Sequence, residues 1–353
     1  TCSAVAALIA PLFAGSRHTI LGPTNATSLM IFSFFAGNMV VAEKLALMPL
    51  LCLMVGLFCV LGALLKVAEL LQYVSRSVLI GYITGAATLI MANQLKHVLG
   101  IAEVVPANMG RTFVDMLRAL VLAAGETQWQ PLLLGLATGV TYFLLQKRFR
   151  LLPNFALCLL VFSLLNLLLG TIPGLGFSSV ATFEPFSSAD LRPRFPDTSE
   201  TGLFTQISLL AAVAFAIAFL ASLENTVMSK SLASRTGDRP DINQDMFAVG
   251  MSNLATGIFS GMPASGSLTR SALNFDSHAR SRFSSIIAGL LCSAAIGVLA
   301  AVPALIASIP KTCLAALVIV IGITLVSPRN IKICLASTGD DAAVLVTTFL
   351  ATL

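Results

Sequence analysis

Residues 203–229 read LFTQISLLAAVAFAIAFLASLENTVMS, a long apolar run whose only charge is Glu224. A helix needs about 20 apolar residues to cross the roughly 30 Å hydrocarbon core of a bilayer, and this run supplies them. Comparable runs recur at 45–65, 77–96, 131–146, 153–172, 243–260, 284–308 and 310–327. Shorter ones lie at 1–14, 23–37, 264–275 and 340–353, so about twelve helical segments are expected. The runs are continuously apolar and do not alternate, which excludes a transmembrane barrel. Composition agrees: of 353 residues 57% are hydrophobic and only 10% charged, where a soluble domain carries about 25% charged residues. The chain reads as an all-α polytopic membrane protein.

Lys and Arg set the expected sidedness. With the 172–202 loop outside, twelve of them, including Lys147, Arg148, Arg150 and Arg239, fall in loops of the opposite side, against seven outside, including Arg192 and Arg194. The net charge of +5 therefore reads as positive-inside topology and not as a nucleic-acid footprint, since no basic patch is interleaved with aromatics. The seven cysteines lie almost entirely inside apolar runs, without CxxC or metal-like spacing to His, and read as small packing residues. His18, His97 and His278 flank helices singly, so no metal site and no cofactor is expected. Arg17 and His18 are placed to line an entrance or to face headgroups. Gly81 and Gly85, a GxxxG pair, read as a helix-packing face, and 111–125 as an interfacial amphipathic helix. There is no GxSxG, HExxH or Walker A motif, so an enzyme is not expected and any transport must run on gradients.

Two breaks in the apolar pattern resemble each other. ILGPTNATSL (20–29) and GMPASGSLTRSA (261–272) both place Gly and Pro before small polar residues and a short apolar helix. Pro23 and Pro263 lie 240 residues apart, which suggests an inverted repeat. If the second half begins near Gly202, Pro263 lies deeper into its half than Pro23 does, by one helix and its connection. After the prolines, the second half is also the shorter one. A seven-plus-seven repeat with its first and last helices missing satisfies both differences. On this reading, residues 1–172 are the first repeat, 173–202 an extracytoplasmic connection and 203–353 the second repeat.

These breaks are the natural place for chemistry. A helix that starts inside a membrane leaves its first N–H groups without acceptors and points its positive dipole end at whatever lies there. Pro23 and Pro263 suit such starts, having no N–H to orphan. Gly22, Gly261 and Gly266 allow close approach, and Thr24, Asn25, Thr27, Ser265, Ser267 and Thr269 offer further donors. Arg270 adds a full positive charge, and Glu224 is the other clear charge at membrane depth; such residues are functional candidates by default. The bland alternatives are a structural Glu224–Arg270 ion pair and Pro-kinked helices packed through small residues.

The stretch LENTVMSKSLASRTGDRPDINQDMFAVGMSNLATGIFSGMPASGSLTRSALNFDSHARSR (223–282) resembles the most characteristic segment of the sulfate-permease (SulP) family of anion transporters. GSRHTILGPTNATSLM is similar to that family's earlier Gly-Pro motif, and IPKTCLAALVIVIGITLV and TGDDAAVLVTTFLATL to its late helices. The resemblance implies fourteen segments in two inverted repeats, divided into core and gate subdomains, with about twelve present in this chain. It implies an anion held between the third and tenth helices, beside the first and eighth. The third-helix motif falls on Gly22, Pro23, Thr24 and Asn25. The tenth-helix motif falls on Pro263, Ser265, Gly266, Ser267, Thr269 and Arg270, and the eighth-helix carboxylate on Glu224. Thr24 and Asn25 are more polar than the small apolar residues often found there in that family. Relatives usually carry a STAS domain after the last helix; no such domain is expected in these 353 residues.

The function expected on these grounds is secondary active transport of a small anion across the cell (plasma or inner) membrane, by proton- or sodium-coupled symport or by exchange. Sulfate is the first candidate, with bicarbonate and dicarboxylates next, and Glu224 the ion-coupling group. Expected partners are the anion, the coupling H+ or Na+, the bilayer and a second copy in a homodimer, with no nucleic acid. A passive anion channel and a non-transporting scaffold are the alternatives. A nucleobase permease is disfavoured because a carboxylate is expected where Arg270 stands.

Overall fold

The computed structural model describes residues 2–35, 41–73, 75–105, 113–149, 154–172, 175–183, 202–237, 239–302 and 304–353. Its first elements are helix α1 (Cys2–Phe13), strand β1 (Leu21–Gly22), α2 (Asn25–Phe35), α3 (Val41–Leu64), α4 (Arg76–Val98), α5 (Phe113–Ala123), α6 (Trp129–Arg148) and α7 (Asn154–Gly170). There follow α8 (Leu203–Thr236), α9 (Ile242–Ile258), strand β2 (Ser265–Gly266), α10 (Leu268–Asp276), α11 (Phe283–Ala301), α12 (Ala304–Ala307), α13 (Lys311–Leu325), α14 (Pro328–Ser337) and α15 (Gly339–Thr352). Each expected apolar segment carries a helix, and α5 occupies the amphipathic stretch. Helix α14 has no apolar run to announce it. It is set by local chemistry, with Pro328 in the first turn and the Ser327 side chain accepting from the Asn330 N–H.

Among the described residues, five helical stretches are long and apolar enough to cross a membrane: Ala46–Leu64, Arg76–Val98, Leu203–Ala233, Phe283–Ala301 and Lys311–Ser337. The longest helix, α8, spans 34 residues, about 50 Å at 1.5 Å per residue. It stops where Gly237 adopts φ 75° and returns its N–H to the Ala233 carbonyl, the left-handed cap that glycine tolerates best.

The chain folds as two compact units, each discontinuous: Thr1–Val74 with Ser187–Ala301, and Ser75–Phe186 with Val302–Leu353. In the second unit, α4 lies against α15 along the GxxxG face. A Cβ on Gly81 would sit 2.6 Å from the Leu345 carbonyl, and one on Gly85 2.7 Å from Thr352 Cβ. The pair is therefore the packing face the sequence suggests. Ser77 donates to Asp341 across the same contact, and Thr312 donates to the Pro131 carbonyl between α13 and α6.

In the first unit, Leu51, Val55 and Cys59 of α3 pack with Leu210, Ala214, Ile217 and Ala221 of α8 and Val249 of α9. Helices α3 and α9 touch through backbone: Cβ atoms on Gly56 and Gly250 would each lie 2.9 Å from the other's carbonyl oxygen. Small residues at such crossings supply the van der Waals contact that replaces a hydrophobic drive inside lipid. Six of the seven cysteines are buried and all seven are free thiols.

Candidate functional site

The two Gly/Pro breaks, 240 residues apart in sequence, meet in the first unit. β1 and β2 pair antiparallel, with Leu21 opposite Gly266 and Gly22 opposite Ser265. The pairing satisfies backbone groups that neither broken helix can satisfy alone, as irregular backbone at membrane depth requires. Because the strands are antiparallel, α2 and α10 leave this short ladder from opposite ends. The two helix starts therefore flank the ladder.

Each start is capped by its own hydroxyl. Thr24 Oγ1 accepts from the Thr27 N–H, and Thr27 Oγ1 accepts in return from the Thr24 N–H, a reciprocal capping arrangement. Ser267 accepts from the Arg270 N–H and pairs with Thr269 Oγ1 at 3.2 Å. Two other members of the predicted set converge on α8. Thr24 Oγ1 donates to Glu224 Oε2 at 2.9 Å, and Ser265 Oγ donates to the same oxygen. The two hydroxyls also lie 2.9 Å from each other. Glu224 is thus held by one hydroxyl from each break. The Asn25 side chain lies outside the described residues.

Arg270 is placed differently. Its Nη1 donates to the Pro23 carbonyl at 3.1 Å, whereas Nε and Nη2 are buried with no hydrogen-bond partner among the described residues. The guanidinium lies over Gly22, where an added Cβ would come within 3.1 Å of Nη2. Gly266 is as tightly placed, since a Cβ there would sit 2.6 Å from Asn225 Oδ1 and 3.0 Å from Asn225 Cα. That Asn225 oxygen is itself buried without a partner among the described residues. The simple Glu224–Arg270 ion pair is not what satisfies either group: the carboxylate takes its hydrogen bonds from hydroxyls and the guanidinium from a carbonyl.

Arg270 also lines a cavity of about 330 Å³ with Ser3, Ala7, Leu21, Asn274 and Cys292. A second cavity, of about 220 Å³, is lined by Ser16, Arg17, Ser229, Thr236 and Arg239. Arg17 is exposed there, while His18 is buried with its ring 5.3 Å from that of Phe275 in an edge contact. Thr269 is exposed.

Two residues near the site escape sequence reasoning, Asp245 and Asn253, both on α9. Asp245 accepts four hydrogen bonds from the turn before β1 and from α8, and Asn253 holds Ala264 beside β2. Asp245, four residues after the helix cap Asp241, reads in sequence as an acid favouring a helix N-terminus. Asn253 reads as one more small polar residue.

The sequence profile of the sulfate permease family matches residues 1–348. The chain belongs to that family. It is 28% identical over 322 residues to the Arabidopsis thaliana protein named probable sulfate transporter 4.2, covering 90% of this chain and 46% of that one. The chain thus spans about half the length of the sulfate permease relatives it matches first. Among solved structures, the transmembrane domain of the cyanobacterial bicarbonate transporter BicA superposes with a TM-score of 0.84 at 20% identity, covering 99% of this chain and 86% of that one. The murine Solute Carrier 26 family member A9 anion transporter, in its inward-facing state, gives 0.79 at 18% identity, covering 99% and 60%. The fold of the sulfate permease chain is the multi-pass membrane fold of these transporters.

Proposed function

We propose that the chain is the membrane part of a secondary active transporter for small anions, sulfate first, bicarbonate or a dicarboxylate next. The observation that carries the reading is Arg270, with two buried donor atoms unpartnered among the described residues and Glu224 already served by hydroxyls. A buried guanidinium left with unmet donors is costly, and an anion bound there relieves that cost. Beyond the Arg270 N–H, which Ser267 caps, the first-turn N–H groups of α10 add donors with no intrahelical acceptor. Helix α10 thereby supplies both the charge and the dipole for an oxyanion, and Gly22 leaves room for the guanidinium.

Glu224 is the coupling group in this reading, binding H+ or Na+. The unpartnered Asn225 oxygen beside Gly266 adds a neutral acceptor close to it. Thr24 and Ser265 tie the carboxylate to both breaks, so a change in its ionisation or ligation is felt by the elements that frame the anion. The relatives' names, sulfate transporter and bicarbonate transporter, support this anion class. We place the protein in the cell (plasma or inner) membrane as a homodimer, with two inverted repeats at 1–172 and 203–353 and the connection 173–202 outside.

The test is radiolabelled sulfate uptake into proteoliposomes, with and without an inward proton or sodium gradient, and with bicarbonate, fumarate and chloride as competitors. Saturable uptake is expected. Arg270→Ala is expected to lower it on the order of 100-fold, the scale of a lost charge-assisted hydrogen-bond set. Glu224→Gln is expected to abolish the gradient dependence. Uptake that persists in the folded Arg270→Ala protein overturns the site, and a Glu224→Gln protein with full gradient dependence overturns the coupling role.

A further inference from the structure

Neither break can hold its own shape. The ladder between them has two rungs, and the helices it feeds begin only after the break. Each break is instead tied to α9. At one end of α9, Asp245 is only 2% exposed, and its Oδ1 accepts from the Gly15 N–H at 2.8 Å, the Ser16 N–H at 2.9 Å and Ser16 Oγ at 3.2 Å. Its Oδ2 accepts from Ser229 Oγ at 2.7 Å. One carboxylate thus joins the turn leading to Gly22 with the α8 turn that follows Glu224. Eight residues further on, Asn253 is fully buried, donates Nδ2 to the Ala264 carbonyl at 3.0 Å and accepts the Ala264 N–H at 2.7 Å. It imitates a strand neighbour for the residue that immediately precedes Ser265. Positions i and i+8 lie on one broad face of a helix, so a single face of α9 carries both ties. The helix is in turn fixed to α3 by the Gly56–Gly250 backbone contact.

We propose that α9 is the alignment post of the site, with Asp245 and Asn253 as positioning residues, the first setting the Gly22–Thr24 break and the second the Ser265–Arg270 break. The functional part of this inference rests on the anion-transport reading. Neither residue touches the substrate. They fix the separation between Thr24, Ser265 and Glu224 and the place of the Pro23 carbonyl that anchors Arg270. Sites of this kind lose function when supporting groups let them shift by about 1 Å.

Two readouts on the reconstituted protein separate the possibilities. The first is backbone amide exchange, which needs no transport. Asp245→Ala should speed exchange about tenfold or more in residues 15–24 and leave 261–270 near wild type, since local opening tracks the contacts that hold a segment. Asn253→Ala should do the reverse. The second is sulfate uptake. Each variant should raise the half-saturating concentration about tenfold with a smaller change in maximal rate, and should shift the pH or sodium dependence set by Glu224. Asp245→Asn, which keeps an acceptor for the Gly15 and Ser16 amides, should recover most of both effects. Val249→Ala, on the same helix and fully buried with an apolar side chain that makes no hydrogen bond to either break, supplies the control for simple loss of packing. Exchange changes spread equally over both segments, or the same uptake shift from Val249→Ala at matched thermal stability, overturn the proposal. Variants that show the segment-specific exchange pattern, beside a wild-type protein that takes up no anion, overturn the transport reading and leave the positioning role standing.

Discussion

Pro23 and Pro263 each precede a short helix, and the two breaks pair strand to strand, yet the partners are unequal. The first break brings Thr24, which caps its own helix and also donates to Glu224. The second divides those tasks: Ser267 caps, Ser265 donates to Glu224, and Arg270, a turn further on, brings the charge. The first is held from outside by a carboxylate, Asp245, and the second by a neutral amide, Asn253. A positive charge on one side only makes the two sides unequal toward an anion, while each gives Glu224 one hydroxyl donor. The first side contributes mainly backbone and shape, and the second charge.

The steepest test of that inequality is a methyl group on each glycine. In Gly266→Ala the new Cβ meets the α8 backbone at Asn225 Cα, 3.0 Å away, which cannot rotate aside. Overpacking of this kind costs about 1–3 kcal/mol, so a clear drop in melting temperature in detergent is expected. In Gly22→Ala the nearest atom is Arg270 Nη2, the far end of a long side chain. That protein should fold as wild type, and the displaced guanidinium should weaken half-saturation by sulfate several-fold. A reversal of the two outcomes would mean that the first break, not the second, is packed against rigid backbone.

Removing one hydroxyl from each side gives the next largest contrast. Ser265→Ala and Thr24→Ala each delete one donor to Glu224 Oε2, so both should alter the pH or sodium dependence of uptake by a similar few-fold factor. Thr24 is also an N-cap, and losing a cap costs about 1 kcal/mol, so only Thr24→Ala should also lower the melting temperature. Thr24→Ser, which keeps the hydroxyl, should restore both. Equal stability losses in the two alanine variants would remove the division of tasks between Ser265 and Ser267.

Much of this arrangement was legible in the residues. Apolar length marks helices, and the unusual Gly-Pro with small polar neighbours marks the breaks, because both signals are local. The site's charges stood out because Glu224 and Arg270 interrupt apolar surroundings. The antiparallel ladder was not legible, since two residues of strand have no periodicity and the partners lie 240 positions apart. Nor were the supports on α9. Asp245 is a common kind of residue in the first turn of a helix, and Asn253 sits among Ser, Thr and Gly; their roles appear only when Gly15, Ser229 and Ala264 arrive beside them. Helix α14 shows the opposite case, where a Ser-Pro start outweighs weak hydrophobicity.

Thr269 gives the smallest expected effect and the narrowest test. It belongs to the tenth-helix motif by sequence, yet it is exposed, and its hydroxyl pairs with Ser267, which already caps α10 through the Arg270 N–H. Deleting it removes one hydrogen bond at an exposed position. Surface substitutions of this kind stay within about 0.5 kcal/mol, so Thr269→Ala should leave the melting temperature and sulfate uptake within about twofold of wild type. A larger fall in uptake with stability unchanged would place Thr269 on the anion's path. The charged side of the site would then include Thr269, two residues beyond its cap Ser267, widening the difference between the breaks to a second donor that the first break does not match.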